Sequence, residues 1–366
     1  MNTKIYEARR GRLALKLKKE NLDAFVATAP HHLRYLFGFS GSSGLGLIAN
    51  GDGSWFFTDS RYELQIKKEV RGVKTEVVSG TLLNGLKDLS FFQKPRQRVG
   101  VDVKSLTVKM LDLCNAALRQ TLWEKTENLV EGLSAVKDAE ELKHIKRAVE
   151  IADKTFEEVL SAVRPGVREA DLAAEIEYRL KRNGAEEPAF GTIVASGYRS
   201  AMPHGRASEK KIEMGEFVTL DFGAFYSGYC SDITRTVVVG RASPRQKKVY
   251  DVVFRAQKRG IESVRPGLKG KEVDRKVREV IRRAGMGKYF GHGTGHGTGH
   301  GIGLLVHDFP SVGQTSEDIL KAGMVVTIEP GVYIPGWGGV RIEDDVYVGP
   351  RRGVVLNRAP KELLEL

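Results

Sequence analysis

FVTLDFGAFYSGYCSDITRTVVV, residues 217–239, is the stretch whose reading decides the fold. Two apolar runs rich in Val, Thr, Ile and Phe flank a turn at Ser227–Gly228, the pattern of a β-hairpin. The hairpin carries two acids, Asp221 and Asp232, where a core strand should be apolar. Downstream, MVVTIEP (324–330) ends a strand on Glu329, and VRIEDDVYV (340–348) embeds Glu343 between apolar neighbours. Read as one strand, that last run places Val340, Ile342 and Val346 on one face and Arg341, Glu343 and Tyr347 on the other. Helical patterns surround these strands. Two helices run nearly back to back from Ala139 to Arg182, broken at RPGV, and a second pair covers Pro244–Ser263 and Lys271–Ala284. The expectation is an α+β domain, an antiparallel sheet with helices on one side.

A buried, uncompensated carboxylate costs several kcal/mol, so it must be paired, protonated or bound to a cation. Near Asp221, Asp232, Glu329 and Glu343 the sequence offers only Arg235 and Arg341. Two guanidinium groups leave four acids under-compensated, and one or two divalent metals would restore the balance. The alternative is a set of turn acids and surface ion pairs.

Between the second helical pair and the strand with Glu329 lies GHGTGHGTGHGIG (291–303), with glycine at every odd position. Alternate glycines exclude a helix, so His292, His296 and His300 are not a helical i, i+4 metal pair. An extended chain would show His and Thr on one face and bare glycine on the other, where another backbone can approach. GLLVHDF (303–309) follows, read as an apolar strand containing His307. A metal histidine belongs where the backbone becomes ordered, which favours His300; His292 and His296 are read as a polar loop. Four carboxylates with one imidazole suit Mn, Co, Fe or Zn better than Ca or Mg. His204, in the loop sequence MPHGRAS, is a further candidate because loops carry function disproportionately.

The preceding residues read differently. RRGRLALKLKKENL is an amphipathic helix, DAFVATA a buried strand, and GLGLIANGDGSWFFTDS two apolar runs joined by Asn-Gly-Asp-Gly. Alternating strands and helices predict a mixed sheet covered by helices. With 366 residues the chain is expected to form two domains, 1–127 and 128–366, with the boundary near Asn128. The net charge of +12 comes from basic residues interleaved with acids, as in ELKHIKRAVEIADK, so solvated helix faces are expected rather than a nucleic-acid partner. Two distant cysteines, Cys114 and Cys230, exclude a disulfide framework. No run approaches the roughly 18–20 apolar residues of a membrane span. A cytoplasmic protein is the expectation.

TLDFGAFYSGYCSDITRT, GHGIGLLVH, TIEPGVYI and GVRIEDD resemble the metal-site motifs of the proline-specific pita-bread metallopeptidases, X-Pro aminopeptidase (aminopeptidase P) and X-Pro dipeptidase (prolidase). HHLRYLFGFSGSSGLGLIA and FFTDSRY resemble their creatinase-type N-terminal domain. The resemblance implies two metal ions per chain, with manganese expected and cobalt or zinc possible. Asp221 would chelate one, Asp232 and Glu343 would bridge both, and His300 and Glu329 would complete the second. His300 is also singled out because the family's ligand histidine lies seven residues before a second one, here His307. Glu329 would act as general base, His204 would stabilise the oxyanion, His307 would contact substrate near the prolyl residue, and Arg341 would orient carboxylates. The chain departs from the pattern in an extra Gly-His-Gly-Thr copy and in Leu305, where an acid is usual. The expected activity is release of the residue before proline from peptides, aminopeptidase P type, with a prolidase restricted to dipeptides as the alternative. A non-catalytic pita-bread binding module is the alternative from another class. The family also implies a homodimer.

Overall fold

The structure is a computed structural model that describes residues 3–51, 53–290 and 297–366. The chain divides into two compact units, Met1–Ser134 and Ala135–Leu366.

The first unit is built on a six-stranded mixed sheet. Its central strand Ala24–Ala27 is fully buried; it pairs antiparallel with Leu45–Ala49 and parallel with Arg98–Asp102. Leu45–Ala49 continues antiparallel to Ser54–Thr58, which is the hairpin expected from Asn-Gly-Asp-Gly. Helices Thr3–Lys19 and Pro30–Phe37 bury Leu13, Leu17, Leu33 and Phe37.

In the second unit every ladder between named strands is antiparallel. Phe217–Phe222 pairs with Ile233–Val238 over its whole length, and Asp221 sits opposite Thr234. The turn beyond them has Ser227 at φ 49° and Gly228 at φ 84°. Two left-handed residues in succession match the twist of the flanking strands. The helices are Ala139–Val159, Glu169–Arg182, Pro244–Ser263 and Gly270–Arg283. Capping boxes at Asp138/Glu141 and Ser243/Gln246 fix where two of them begin. Their apolar faces close two cores, one around Phe156, Ile176 and Phe222, the other around Val253, Val277 and Val340.

Two expected strands are corrected. VRIEDDVYV is not continuous: Gly338–Arg341 pairs with Gly331–Ile334, whereas Asp344–Val348 pairs with Val325–Ile328 in another sheet. Glu343 stands at the break. Its N–H goes to Thr234 O and its carbonyl accepts from Arg235, so its backbone serves neighbouring elements rather than one ladder. GLLVHDF is not a strand either. Residues 303–307 form bends, closed by Gly303 N donating to Leu305 O, and the strand begins at Asp308.

The glycine-rich stretch behaves as its composition predicts where it is described. Gly299–Gly301 is a short buried strand. A Cβ on Gly299 would lie 2.0 Å from Thr327 O, and one on Gly301 2.2 Å from Phe309 O. Only glycine lets this strand pass so close to its neighbours. His292 and His296 lie outside the described residues.

Candidate active site

The carboxylates singled out in the sequence converge through backbone already accounted for. Asp221 closes one strand of the hairpin, and Asp232 immediately precedes the other. Glu329 follows Val325–Ile328, and its N–H donates to Thr298 O at 2.8 Å. His300 comes from the glycine strand, Glu343 from the break between sheets. All of them line one cavity of about 90 Å³, together with His204, His307, Arg341, Phe190, Ile193 and Val306. One ligand atom each from Asp232, His300 and Glu343 lies within 4.8 Å of the others, and all three residues are buried. His300 Nε2 is 3.4 Å from Glu329 Oε1 and 3.7 Å from Asp232 Oδ2.

Arg341 is the hub of the polar wall. One terminal nitrogen donates to Asp221, the other to Tyr333 OH (2.7 Å) and to Pro203 O (3.1 Å). Its Nε donates to Thr234 Oγ1 at 3.0 Å, and the same hydroxyl donates to Glu343 Oε2 at 2.6 Å. Burial opposes the charge of Arg341, but Tyr333, Asp221, Glu329 and Glu343 outweigh it and hold the guanidinium well above its ordinary value. Tyr333 is pushed up to about 12, mainly by burial.

Arg235, the other expected counter-charge, serves a different acid. It donates to Asp344 Oδ1 at 2.8 Å and to the carbonyls of Ala359, Pro360 and Thr234. Asp344 also accepts from Gln257 and Lys361 and is fully satisfied. The cavity acids are therefore poorer in positive charge than the sequence suggested. Burial, then the neighbouring carboxylates Glu343 and Asp221, pushes Asp232 well above the carboxylate range. Burial, then Glu329 and Asp221, does the same to Glu343. Burial raises Glu329 to about 8, only partly opposed by Arg341.

The donor set fits a pair of divalent ions. Asp232 Oδ1 and Glu343 Oε1 are buried without a hydrogen-bond partner among the described residues. Orphaned carboxylate oxygens in a repulsive cluster are what a cation would satisfy. His300 Nδ1 lies 2.9 Å from Gly301 O, and a carbonyl can only accept, so Nδ1 carries a proton and Nε2 is the nitrogen that faces the acids and could take a metal.

Comparison with known proteins decides the family. The profile of metallopeptidase family M24 matches residues 143–350, and that of the Creatinase/Prolidase N-terminal domain matches residues 9–136. The chain belongs to metallopeptidase family M24. This M24 chain is thus a metal-dependent peptidase with the pita-bread fold, preceded by a creatinase-type domain. It is 38% identical to an Xaa-Pro dipeptidase of Pyrococcus furiosus over 96% of this chain and 98% of the relative. The solved structure of an Xaa-Pro dipeptidase from Bacillus anthracis superposes with a TM-score of 0.94 at 41% identity, covering 99% of this chain and 100% of that one. An X-Pro aminopeptidase from Thermotoga maritima superposes with a TM-score of 0.88 at 35% identity, covering 98% and 99%.

Some residues of this site were not singled out beforehand. Thr234 links Arg341 to Glu343, and Asp345 Oδ2 accepts from Asp232 N at 3.0 Å. Thr234 alternates with Asp232 and Thr236 along one strand, so period-2 reading of SDITRT could have found it. Phe190, Ile193 and Val306 lie far apart in sequence and carried no such signal. Among the described residues no helix is long and apolar enough to cross a membrane.

Proposed function

We propose that this M24 peptidase is an Xaa-Pro dipeptidase, a prolidase, that binds two divalent metals in the cavity. The observation that carries the reading is the convergence of Asp232, His300 and Glu343 around orphaned carboxylate oxygens. In this reading Asp221, Asp232, His300, Glu329 and Glu343 would hold the ions. Manganese is the expected metal, with cobalt and zinc as functional substitutes. When bound, the ions supply Lewis acidity and lower the pKa of a water toward neutrality.

The chain's own residues do the rest. Glu329, ionised once the metal is bound, accepts a proton from the attacking water and returns it to the leaving prolyl nitrogen. His204 donates toward the carbonyl oxygen as negative charge develops there. His307, whose ring lies 4.5 Å from that of His300, contacts the prolyl end of the substrate. Arg341 keeps Asp221 oriented and ties the wall of the cavity to the loop that bears His204. Phe190, Ile193 and Val306 supply apolar surface for the pyrrolidine ring. An X-Pro bond is a tertiary amide of restricted shape, so such a pocket contributes selectivity.

The Xaa-Pro dipeptidases among the relatives favour this over the aminopeptidase P activity expected from sequence. Aminopeptidase P remains the second reading, on the likeness to the Thermotoga enzyme. Hydrolysis of Xaa-Pro and of Xaa-Pro-Xaa-Xaa, with Mn, Co and Zn added in turn, separates the two. Turnover of the dipeptide alone is expected; faster release from the longer peptide would favour the aminopeptidase, and no turnover of either would overturn both. We further assign the chain a creatinase-type domain over residues 1–127, a catalytic domain over 128–366, a homodimeric state and a cytoplasmic site of action.

A further inference from the structure

His204 is exposed, on a loop whose tip carries the exposed Met202. An imidazole that must meet a developing oxyanion cannot wander, because a misplacement of about 1 Å costs roughly a hundredfold in rate. Something must hold this loop, and its two ends run to one buried carboxylate. Glu169, first residue of the helix Glu169–Arg182, is 0% exposed. Its Oε1 accepts from Ser196 N (2.7 Å) and Ser196 Oγ (2.9 Å), where the loop leaves its strand. Its Oε2 accepts from Ser208 N (3.1 Å) and Ser208 Oγ (2.6 Å), where the loop returns. Oε2 also accepts from Arg199 Nε at 2.9 Å, and Arg199 Nη2 reaches across the loop to Arg206 O at 2.6 Å. The helix start reinforces the clamp, with Glu169 N and Ala170 N donating to Lys210 O and Ser208 O. At the tip, Arg341 holds Pro203 O, directly before His204.

We propose that Glu169 is a positioning residue for His204: its buried carboxylate staples residues 196 and 208 together and so sets where the imidazole meets the substrate. This rests on the reading of His204 as an oxyanion donor. Five donors on one carboxylate exceed what capping this helix requires, since a cap satisfies only its first N–H groups. Arg199 extends the clamp by lying between that carboxylate and the far limb of the loop.

The test uses the full-length metal-loaded protein and the variants Glu169→Gln, His204→Ala and the double variant. Glu169→Gln keeps the shape of the side chain but loses its charge and one acceptor. Hydrogen exchange of the peptide spanning 197–208 should quicken in Glu169→Gln by about tenfold or more while metal content stays at the wild-type value. With an Xaa-Pro dipeptide, Glu169→Gln should lower kcat by about 10- to 100-fold with little change in KM, and should cost nothing further in the His204→Ala background. Unchanged exchange in the loop, or losses that multiply in the double variant, would overturn the inference while leaving the activity reading intact. A wild-type chain inactive on Xaa-Pro peptides would instead overturn the activity reading, and the exchange result would still decide whether Glu169 clamps the loop. An active wild type whose His204→Ala variant keeps full activity would overturn the inference together with the oxyanion role of His204, leaving the Xaa-Pro activity itself standing.

Discussion

Among the described residues, two places bring together three side chains able to hold a metal, and their chemistry is opposite. In the catalytic unit the set is Asp232, His300 and Glu343; in the N-terminal unit it is His31, His32 and Glu131. In the first, two acids share a cavity with further acids, have orphaned oxygens and hold their protons far above the carboxylate range. In the second, a single acid meets two imidazoles, with Glu131 Oε1 3.0 Å from His32 Nε2 and 3.9 Å from His31 Nε2. Burial alone would raise Glu131, but the hydrogen bond to His32 and the neighbouring His31 imidazole win and hold its carboxyl well below the ordinary value. Proximity is common to both clusters. Both also hold an orphaned buried atom, His32 Nδ1 in the second; what separates them is that the acids of the first repel one another, whereas the single acid of the second is hydrogen-bonded by an imidazole.

The sharpest way to break this comparison is to remove an acid from each cluster. Glu343→Ala should abolish metal retention and lower peptidase activity by about a thousandfold or more, since the ions supply several kcal/mol of transition-state stabilisation. Metal analysis and Xaa-Pro hydrolysis check this together. Glu131→Gln should leave both unchanged. Thermal unfolding of the metal-free protein should reverse the order: Glu131→Gln should cost about 1–3 kcal/mol, whereas Glu343→Gln, which removes a carboxyl whose ionisation burial and the neighbouring acids oppose, should leave stability unchanged or raise it. A metal-free Glu343→Gln protein less stable than wild type would show that the cavity carboxylates support the fold.

The pH dependence should also run in opposite directions. Glu329 is raised from 4.5 to about 8 in the fold, so the stability linked to its proton is present below about 4.5 and lost as pH rises toward 8. Metal binding replaces those protons. The gap in Tm between metal-loaded and metal-free protein should therefore widen from about pH 5 to about pH 8; a constant gap would contradict the assignment. Glu131, held low, contributes stability present above about 4.5 and lost as pH falls through its folded value. The Glu131→Gln variant should accordingly differ from wild type at neutral pH and approach it in acid. The smallest effect concerns the glycine-rich stretch: alanine at both His292 and His296 should leave metal stoichiometry at the wild-type value.

Much of this site was legible in the sequence because its residues break local rules. Acids in apolar strands are anomalies that a single pass along the chain detects, and Asp221, Asp232, Glu329 and Glu343 were each found that way. His300 was favoured because it adjoins the expected strand GLLVHDF and lies seven residues before His307; that strand is absent, but His300 stands in a short strand of its own, Gly299–Gly301, whose glycines are crowded by their neighbours. What the sequence hid depends on which strands meet. VRIEDDVYV looks continuous because every residue in it tolerates a strand, and the break at Glu343 is imposed by Thr234 and Arg235, more than a hundred residues earlier. Arg235 looked like a partner for the metal acids because it lies near them in sequence, yet its strand points it at Asp344. Glu169 was invisible for the same reason: a glutamate at a helix start is ordinary until both ends of a distant loop arrive on it.

The most direct measurement is anomalous diffraction from crystals soaked in manganese. The account predicts two peaks per chain in the cavity, one of them touched by Asp221 and both by Asp232 and Glu343, with none at His31, His32 and Glu131. An empty cavity at saturating manganese, or occupancy of the N-terminal cluster instead, would contradict it.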